Sequence, residues 1–140
     1  MTPRSIYVAG SSKERDLIGA YMAALRASGW HISHDWVAAM NAEPTADHAL
    51  GVQEQKRYAS EDLEGVAACQ VFWLLSPSTP SIGAYVELGY AMRATQRTRI
   101  VVSGLQSLFT ALADERYATH AEAFAALTRD VVAVERLAGR

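Results

Sequence analysis

The sequence predicts an α/β protein in which a doubly wound, five-stranded parallel sheet carries helices on both faces. The pattern of apolar residues along the chain predicts this class. Short apolar runs of strand length alternate along the chain with longer segments whose apolar residues recur at helical spacing. Strands that alternate with helices pair in parallel through right-handed crossovers, which cover both faces of the sheet. A length of 140 residues suits one such unit, so we expect residues 1–140 to form a single domain.

The chain opens with a predicted strand and helix. SIYVAG, residues 5–10, is an apolar run that ends in a Gly-Ser-Ser loop. Residues 13–28 place apolar side chains at helical spacing, and Gly29 stands where a helix commonly ends. HISHDW, residues 31–36, is predicted as a second strand, and residues 37–47 are predicted as a loop.

The rest of the chain continues the alternation. Residues 46–69 are polar and helix-permissive, and an interruption near Gly51 or Ser60 predicts two short helices. QVFWLL, residues 70–75, is apolar on both alternating faces and is predicted as a strand covered on both sides. The remaining predictions are a helix over residues 82–96, a strand over 98–104, a short fifth strand over 108–112 and a helix over 119–137.

The expected strand order is flavodoxin-like, and it predicts where a ligand binds. In open parallel sheets, ligands bind beyond the carboxyl ends of the strands. The loops Gly10-Ser11-Ser12 and 76–83 leave the carboxyl ends of the two best predicted strands. Neither the G-x-G-x-x-G dinucleotide fingerprint nor the G-x-x-x-x-G-K-[ST] phosphate loop occurs, so neither of those sites is expected.

The composition excludes several classes of partner. The balance of 13 basic against 15 acidic side chains gives no charge excess for a nucleic acid polymer or an anionic membrane. No apolar run approaches the roughly 20 residues of a membrane helix, and the amino-terminal segment lacks the apolar core of a signal peptide. Cys69 is the single cysteine, so no intramolecular disulfide can form. We therefore expect a cytoplasmic protein.

Glu87 is the one acidic residue of the predicted helix in SIGAYVELGYAM. The residues three and four positions away, which are apolar or uncharged, cannot form an ion pair with it. The surrounding residues are apolar nearly all round, which predicts a buried helix and an unpaired carboxylate within it. Burying such a group costs several kcal/mol or raises its pKa, so it usually has a function. The alternative is a Glu87 that points to solvent.

The loop SPSTPSIG supplies hydroxyl groups ahead of this helix, from Ser76, Ser78, Thr79 and Ser81. Ser81 stands at the predicted amino-terminal cap, where free backbone N–H groups and the helix dipole favour a phosphate. Gly83 leaves the space toward which Glu87 should lean unblocked. The alternative for the same residues is an ordinary cap and turn.

Other candidate chemistries find little support. The histidines and Cys69 show no metal-binding spacing, so we expect no metal and no cofactor. The G-x-S-x-G signature of serine hydrolases is absent. Periodicity does not rank the acids Glu61, Asp62 and Glu64 as catalytic candidates. Trp36 is of a type that is usually core, although a tryptophan beside a strand end can stack on a nucleobase.

Three segments, IYVAGS, DLEGVAACQVFWLL and PSIGAYVELGYA, together resemble the nucleoside 2-deoxyribosyltransferase superfamily over roughly residues 5–104. In that family the glutamate of the G-x-x-x-E-[LMI]-G pattern attacks the anomeric carbon, and this position falls on Glu87. The aspartate of the D-L motif, which assists the carboxylate or the leaving base, falls on Asp62. The resemblance also implies that Tyr7, Gly10 and Ser11 line the sugar and phosphate site, with Tyr7 counted as catalytic, and that Trp36 lies near the base.

The residue six positions before the glutamate separates two branches of that superfamily. Transferases of free nucleosides carry an aspartate there, whereas this chain has Ser81. The P-S-x-G-x-x-x-E-L-G pattern, matched from Pro80 to Gly89, is similar to the 2′-deoxynucleoside 5′-monophosphate N-hydrolases, in which the serine binds phosphate. An aspartate repels a phosphate dianion, and a serine at a helix amino terminus donates to it. Ser78 and Gly83, from the loop and the start of the helix, are counted with Ser81 as expected substrate-binding residues.

The expected function is therefore hydrolysis of the N-glycosidic bond of a nucleoside 5′-monophosphate. Three alternatives stay open: deoxyribosyl transfer between bases, NAD hydrolysis by a domain resembling the Toll/interleukin-1 receptor type, and a nucleotide-binding sensor without turnover. The base, the sugar and the oligomeric state are not determined by the sequence. The resemblance implies a homodimer, because a neighbouring subunit often completes the site in such proteins.

Overall fold

The computed structural model describes residues 4–46, 49–78, 81–94 and 97–138, with side chains described as far as residue 129. Five parallel strands form one sheet in the order β2-β1-β3-β4-β5, which confirms the predicted class and strand order. The strands are β1 (Ser5–Ala9), β2 (His31–Ile32), β3 (Val71–Ser76), β4 (Arg99–Gly104) and β5 (Glu115–Tyr117). The helices are α1 (Arg15–Ala27), α2 (Trp36–Ala42), α3 (Val52–Ala68), α4 (Ile82–Met92) and α5 (His120–Ala138).

The centre of the sheet is its most buried part. Every residue of β3 is buried, and β1 pairs with it from Ile6 opposite Val71 to Ala9 opposite Leu74. Helix α1 packs against α5, whereas α3 packs against α4. Right-handed crossovers place these two pairs on opposite faces of the sheet. The carboxyl ends of β1 and β3 therefore lie side by side, with α3 and α4 beside them.

The second strand is much shorter than residues 31–36, because Trp36 already begins a helix. Asp35 causes this change: its Oδ1 accepts a hydrogen bond from the backbone N–H of Ala38 at 2.8 Å and caps α2. The prediction of a loop over residues 37–47 is thus wrong for the part that forms α2. Asp47 lies outside the described residues.

Residues 52–68 form one helix, not two short ones. Gly51 precedes α3 and begins it, with the Glu54 carboxylate accepting its N–H at 2.8 Å. Ser60 is accommodated inside the helix, because a single serine in a helix interior costs only a few tenths of a kcal/mol. Helix α3 therefore runs without interruption past Asp62.

The predicted strand over residues 108–112 is wrong, because a 3-10 turn (Phe109–Leu112) stands there. The Thr110 hydroxyl closes this turn by accepting from the backbone N–H of Ser107 at 2.7 Å. The fifth strand follows as β5, where the Glu115 carboxylate pairs with the guanidinium of Arg99 on β4. Side-chain capping and a cross-strand ion pair outweigh the strand propensity of LFTAL.

The helix predicted over residues 82–96 ends at Met92, and residues 95 and 96 lie outside the described part. It is also less buried than predicted. Ala84, Leu88 and Ala91 are buried, but Ile82 is 85% exposed and Val86 57% exposed. An apolar face of α4 is therefore open in the single chain.

Candidate active site

A tyrosine and a carboxylate from distant parts of the chain meet behind the carboxyl ends of the central strands. The hydroxyl of Tyr7, on β1, donates a hydrogen bond to Oε2 of Glu87, on α4. Tyr7 is fully buried, and its ring stacks on Phe72 of the neighbouring strand with the planes 3° apart. Glu87 thus has a partner, which corrects the prediction of an unpaired carboxylate. No hydrogen bond from the described residues reaches its other oxygen, Oε1.

The surroundings of Glu87 change its acidity. Burial raises the pKa of this carboxyl to about 7, the Tyr7 hydrogen bond opposes the rise, and the negative charge of Asp62 adds to it. Burial, together with the charges of Glu87 and Asp62, raises the pKa of the Tyr7 hydroxyl. Tyr7 therefore stays protonated and remains the donor. Glu87 changes its charge near neutral pH, as catalytic carboxylates often do.

Asp62 stands beside this pair on α3. Its Oδ1 lies 3.2 Å from Nε2 of His34, close enough for an ion pair but without the alignment of a hydrogen bond. Three residues further along the same helix face stands Gly65, where a β-carbon would come within 2.5 Å of His34 and 3.2 Å of the Tyr7 ring. A side chain at position 65 would therefore push α3 away from β1. The glycine lets Asp62 approach the Tyr7–Glu87 pair.

A cleft with a volume of about 680 Å³ runs between α2 and α3 from Asp62 outward. This volume is within the range of small-molecule sites. The cleft is lined by Ser12, Arg15, Trp36, Ala39, Met40, Glu43, Pro44, Thr45, Ala46, Leu50, Gln55, Tyr58, Ala59 and Asp62. Trp36 is 7% exposed, and its indole N–H donates to the carbonyl of Val8 at 2.7 Å, which fixes its ring at the inner wall. Asp62 is the residue that the cleft shares with the Tyr7–Glu87 cluster.

Two predicted residues of the first loop lie at the carboxyl end of β1. Gly10 has no room for a side chain, since a β-carbon would come within 2.5 Å of Ile18 and 3.3 Å of the Leu75 carbonyl. Ser11 is almost buried, and its Oγ accepts from the backbone N–H of Lys13 at 3.2 Å, which caps the short 3-10 turn before α1. The loop is thus held close to the end of the neighbouring strand.

The amino terminus of α4 is capped as predicted. The Oγ of Ser81 accepts from the backbone N–H of Ala84 at 3.4 Å. A β-carbon on Gly83 would meet no atom within 4 Å, so the space beside it is open. Thr79 and Pro80, from the same predicted loop, lie outside the described residues.

Ser78 lies apart from the cleft that contains Asp62. It lines a separate crevice at the ends of β3 and β4, together with Glu14 and His120, and its N–H donates to Glu14 Oε1 at 3.4 Å. The structure therefore brings together Tyr7, Glu87 and Asp62, and it places Trp36 with Asp62. Ser78 belongs to another surface.

Four further residues of this region are not predicted by the sequence. The pattern of apolar residues places His34, which lies beside Asp62, in a strand, and it gives no sign of Arg15, Glu43 or Tyr58 in the cleft wall. Their positions depend on how α2 and α3 pack, and no motif marks them. The seven-residue spacing from Trp36 to Glu43 would have been a usable signal, but only after α2 had been recognised as a helix.

No group of three or more histidine, cysteine, aspartate or glutamate residues in the described ranges could hold a metal ion. None of the helices in those ranges is both long and apolar enough to cross a membrane.

The chain is similar to known proteins in structure but not in sequence. No family model matches the chain, and no curated protein matches its sequence. Among solved structures, the chain is similar to the CMP N-glycosidase BcmB of Clostridium botulinum, with a TM-score of 0.52. The match covers 89% of this chain and 98% of that one at 10% sequence identity. The two proteins therefore share a fold over nearly their whole lengths.

Proposed function

We propose that this chain hydrolyses the N-glycosidic bond of a nucleoside 5′-monophosphate and releases a free base and a sugar phosphate. The Tyr7–Glu87 pair beside Asp62 carries this proposal, because it gives a positioned carboxylate with a pKa near 7 and a second acid next to it. Glycosidic cleavage commonly uses two such carboxyl groups. The fold shared with a CMP N-glycosidase supports the same substrate class.

The proposed reaction has two steps. In the first, Oε1 of ionised Glu87 attacks the anomeric carbon, the carbon–nitrogen bond breaks, and its electron pair leaves with the base. In the reacting form the two carboxyl groups hold one proton, which lies on Asp62, and Asp62 donates it to the base nitrogen. In the second, water attacks the same carbon, Glu87 leaves, and the proton of the water returns to Asp62. The net change is nucleotide plus water to base plus sugar phosphate.

Tyr7 acts as a positioning residue in this scheme. Its hydrogen bond holds Oε2 of Glu87, which leaves Oε1 to face the sugar. Because the bond also lowers the pKa of Glu87, it keeps more of the carboxylate ionised at neutral pH. Trp36 forms an aromatic wall of the cleft, against which a base can stack.

The phosphate is assigned to the first loop and the start of α4. Ser11, Ser81 and the open space beside Gly83 offer hydroxyl and backbone N–H donors without a carboxylate at the cap position. The amino terminus of an 11-residue helix also favours an anion electrostatically. These features favour a nucleotide over a free nucleoside. The alternative reaction, deoxyribosyl transfer, uses the same nucleophile, and a second base replaces water in the second step.

A homodimer is part of the proposal. Helix α4 exposes Ile82 and Val86, and neighbouring Phe109 is 62% exposed. Together with Gly89 and Met92 they line an apolar groove of about 490 Å³. Exposed apolar patches of this kind mark interaction surfaces. A second copy of the chain packed there would bring another subunit close to the start of α4.

One experiment tests the activity. The protein is incubated with nucleoside monophosphates, nucleosides and NAD, and free base is measured by chromatography with and without an excess of a second labelled base. We expect base release from monophosphates and at least a thousandfold loss in Glu87→Gln, since removal of a covalent nucleophile has effects of that size. Full activity in Glu87→Gln would contradict the mechanism. Formation of a nucleotide that contains the labelled base would identify a transferase. Release of nicotinamide from NAD, with no base released from the other substrates, would identify an NAD hydrolase.

A further inference from the structure

The two walls of the cleft are helical stripes that face each other. On α3 the lining residues are Gln55, Tyr58, Ala59 and Asp62, and on α2 and its end they are Trp36, Ala39, Met40 and Glu43. Both sets follow the spacing of one helix face. Tyr58 stands one turn before Asp62, about 6 Å along the helix axis. A base whose glycosidic nitrogen lies near Asp62 therefore has its far edge near Tyr58 and Glu43.

Glu43 is held in a defined position at that far end. The Tyr58 hydroxyl donates to its Oε2 at 3.0 Å. No hydrogen bond or ion pair from the described residues reaches Oε1 of Glu43. The residue follows the last residue of α2, where the negative end of the helix disfavours a carboxylate. The Tyr58 hydroxyl thus fixes one oxygen of a carboxylate in the cleft wall, and the guanidinium of Arg57 lies over the Tyr58 ring, 4.7 Å from its centroid.

We propose that Glu43, oriented by Tyr58, recognises the far edge of the base and selects bases with an amino group at that edge, at C4 of a pyrimidine or C6 of a purine. The inference rests on the proposed function, because it places a base in the cleft. An ionised carboxylate is a hydrogen-bond acceptor only. It accepts from the amino group of cytosine or adenine, and it repels the carbonyl oxygen that replaces this group in uracil or hypoxanthine. Cytosine and adenine nucleotides are therefore the preferred substrates.

Matched pairs of substrates test this selection directly. CMP and UMP, dCMP and dUMP, and AMP and IMP each differ mainly at the amino position. We expect kcat/KM to favour the amino member by about tenfold or more, the size of one hydrogen bond to a charged acceptor. Glu43→Gln should reduce this ratio to less than about threefold, because an amide can both donate and accept. Glu64→Gln is the control, since Glu64 is exposed on the same helix and outside the cleft.

A second variant and a binding measurement test the base selection if Glu43→Gln does not fold or if turnover is absent. If Glu43→Gln does not fold, Tyr58→Phe replaces it, and the loss of its hydroxyl should also lower the ratio by releasing Glu43. Calorimetric affinities of CMP and UMP for Glu87→Gln measure selection without turnover. Equal kcat/KM within each pair, or an unchanged ratio in Glu43→Gln, would overturn the inference while leaving the hydrolase intact. No base release from any member contradicts the hydrolase instead, and the inference then stands only if calorimetry still shows preference for CMP.

Discussion

Tyr7 and Glu87 lie 80 residues apart in the sequence and share a hydrogen bond in the folded chain, with the tyrosine hydroxyl as donor. β1 supplies one partner and α4 the other, and the pairing of β1 with β3 brings them together. The bond has an electrostatic consequence, because it lowers the pKa of a carboxyl that burial has raised to about 7. It also gives the proposed nucleophile one fixed and one available oxygen.

The first prediction concerns the pH dependence of activity. The nucleophile must be ionised, so kcat/KM should rise with pH as Glu87, whose pKa is raised to about 7, loses its proton, and it should fall once Asp62 no longer holds the proton that it donates. Tyr7→Phe removes the hydrogen bond that lowers the Glu87 pKa, and the rising limb should therefore move to higher pH. The measurement is kcat/KM from pH 5 to 9 for both proteins. Tyr85→Phe is the control, because Tyr85 on the same helix has no hydrogen bond to Glu87. If the rising part of the pH profile does not move in Tyr7→Phe, the Tyr7 hydrogen bond does not lower the Glu87 pKa.

The second prediction concerns stability. The folded pKa of Glu87 is raised from 4.5 to about 7, so the folded protein holds this proton more tightly than the unfolded chain. Its contribution to stability is therefore present below pH 4.5 and is lost as the pH rises to about 7. Glu87→Gln should be more stable than the wild type at pH 8 by up to about 3 kcal/mol, with the difference absent at pH 4. The free energy of unfolding, measured with urea at both pH values, checks this, with Glu64→Gln as the reference variant. If Glu87→Gln differs from the wild type by the same free energy at both pH values, the pKa of Glu87 is not raised.

The third prediction compares two glycines of α4. A β-carbon at Gly83 or at Gly89 would meet no atom within 4 Å, so both alanine variants should fold and gain up to about 1 kcal/mol of helix stability. Only Gly83→Ala fills the space assigned to the phosphate, so it alone should raise KM for nucleoside monophosphates, by about tenfold. Melting temperatures and steady-state kinetics of the pair decide the matter. Identical KM values in the two variants would place the phosphate elsewhere.

The fourth prediction isolates the role of Asp62. If it protonates the departing base, Asp62→Asn should lower kcat by about a hundredfold or more on ordinary nucleotides, within the range for general acid catalysis. The loss should shrink to a few-fold for 7-methylguanosine monophosphate, because its positively charged base leaves without a proton. Rates of base release for both substrates test this in Asp62→Asn and in the control Glu64→Gln. An equal loss on both substrates would assign Asp62 to orienting Glu87.

The fifth prediction tests the dimer. Val86 is 57% exposed on the apolar face of α4, and a charge there should prevent a second copy from packing. We expect a dimer in the wild type and a monomer in Val86→Glu by light scattering after gel filtration. Val52→Glu is the matched control, because Val52 is 63% exposed at the start of α3 and outside this groove. A monomeric wild type would refute the proposed interface.

The sequence by itself determined the fold class and the order of the sheet. Apolar runs such as QVFWLL report burial directly, because a strand covered on both faces must be apolar at every position. Local sequence also placed Ser81 at a helix cap and marked Glu87 as the one acid of its helix. It failed at α2 and at residues 108–112, where side-chain caps from Asp35 and Thr110 overrode the pattern of apolar residues.

Only the tertiary structure decided what surrounds the candidate nucleophile. The Tyr7 hydroxyl, the charge of Asp62 and the approach allowed by Gly65 come from three different elements. The cleft wall with Glu43 and Tyr58 exists because α2 packs opposite α3. Helical spacing relates residues a few positions apart, whereas a pKa depends on groups within several ångströms in any direction. The sequence therefore identified the carboxylate, and the packing of β1, α3 and α4 around it set its acidity.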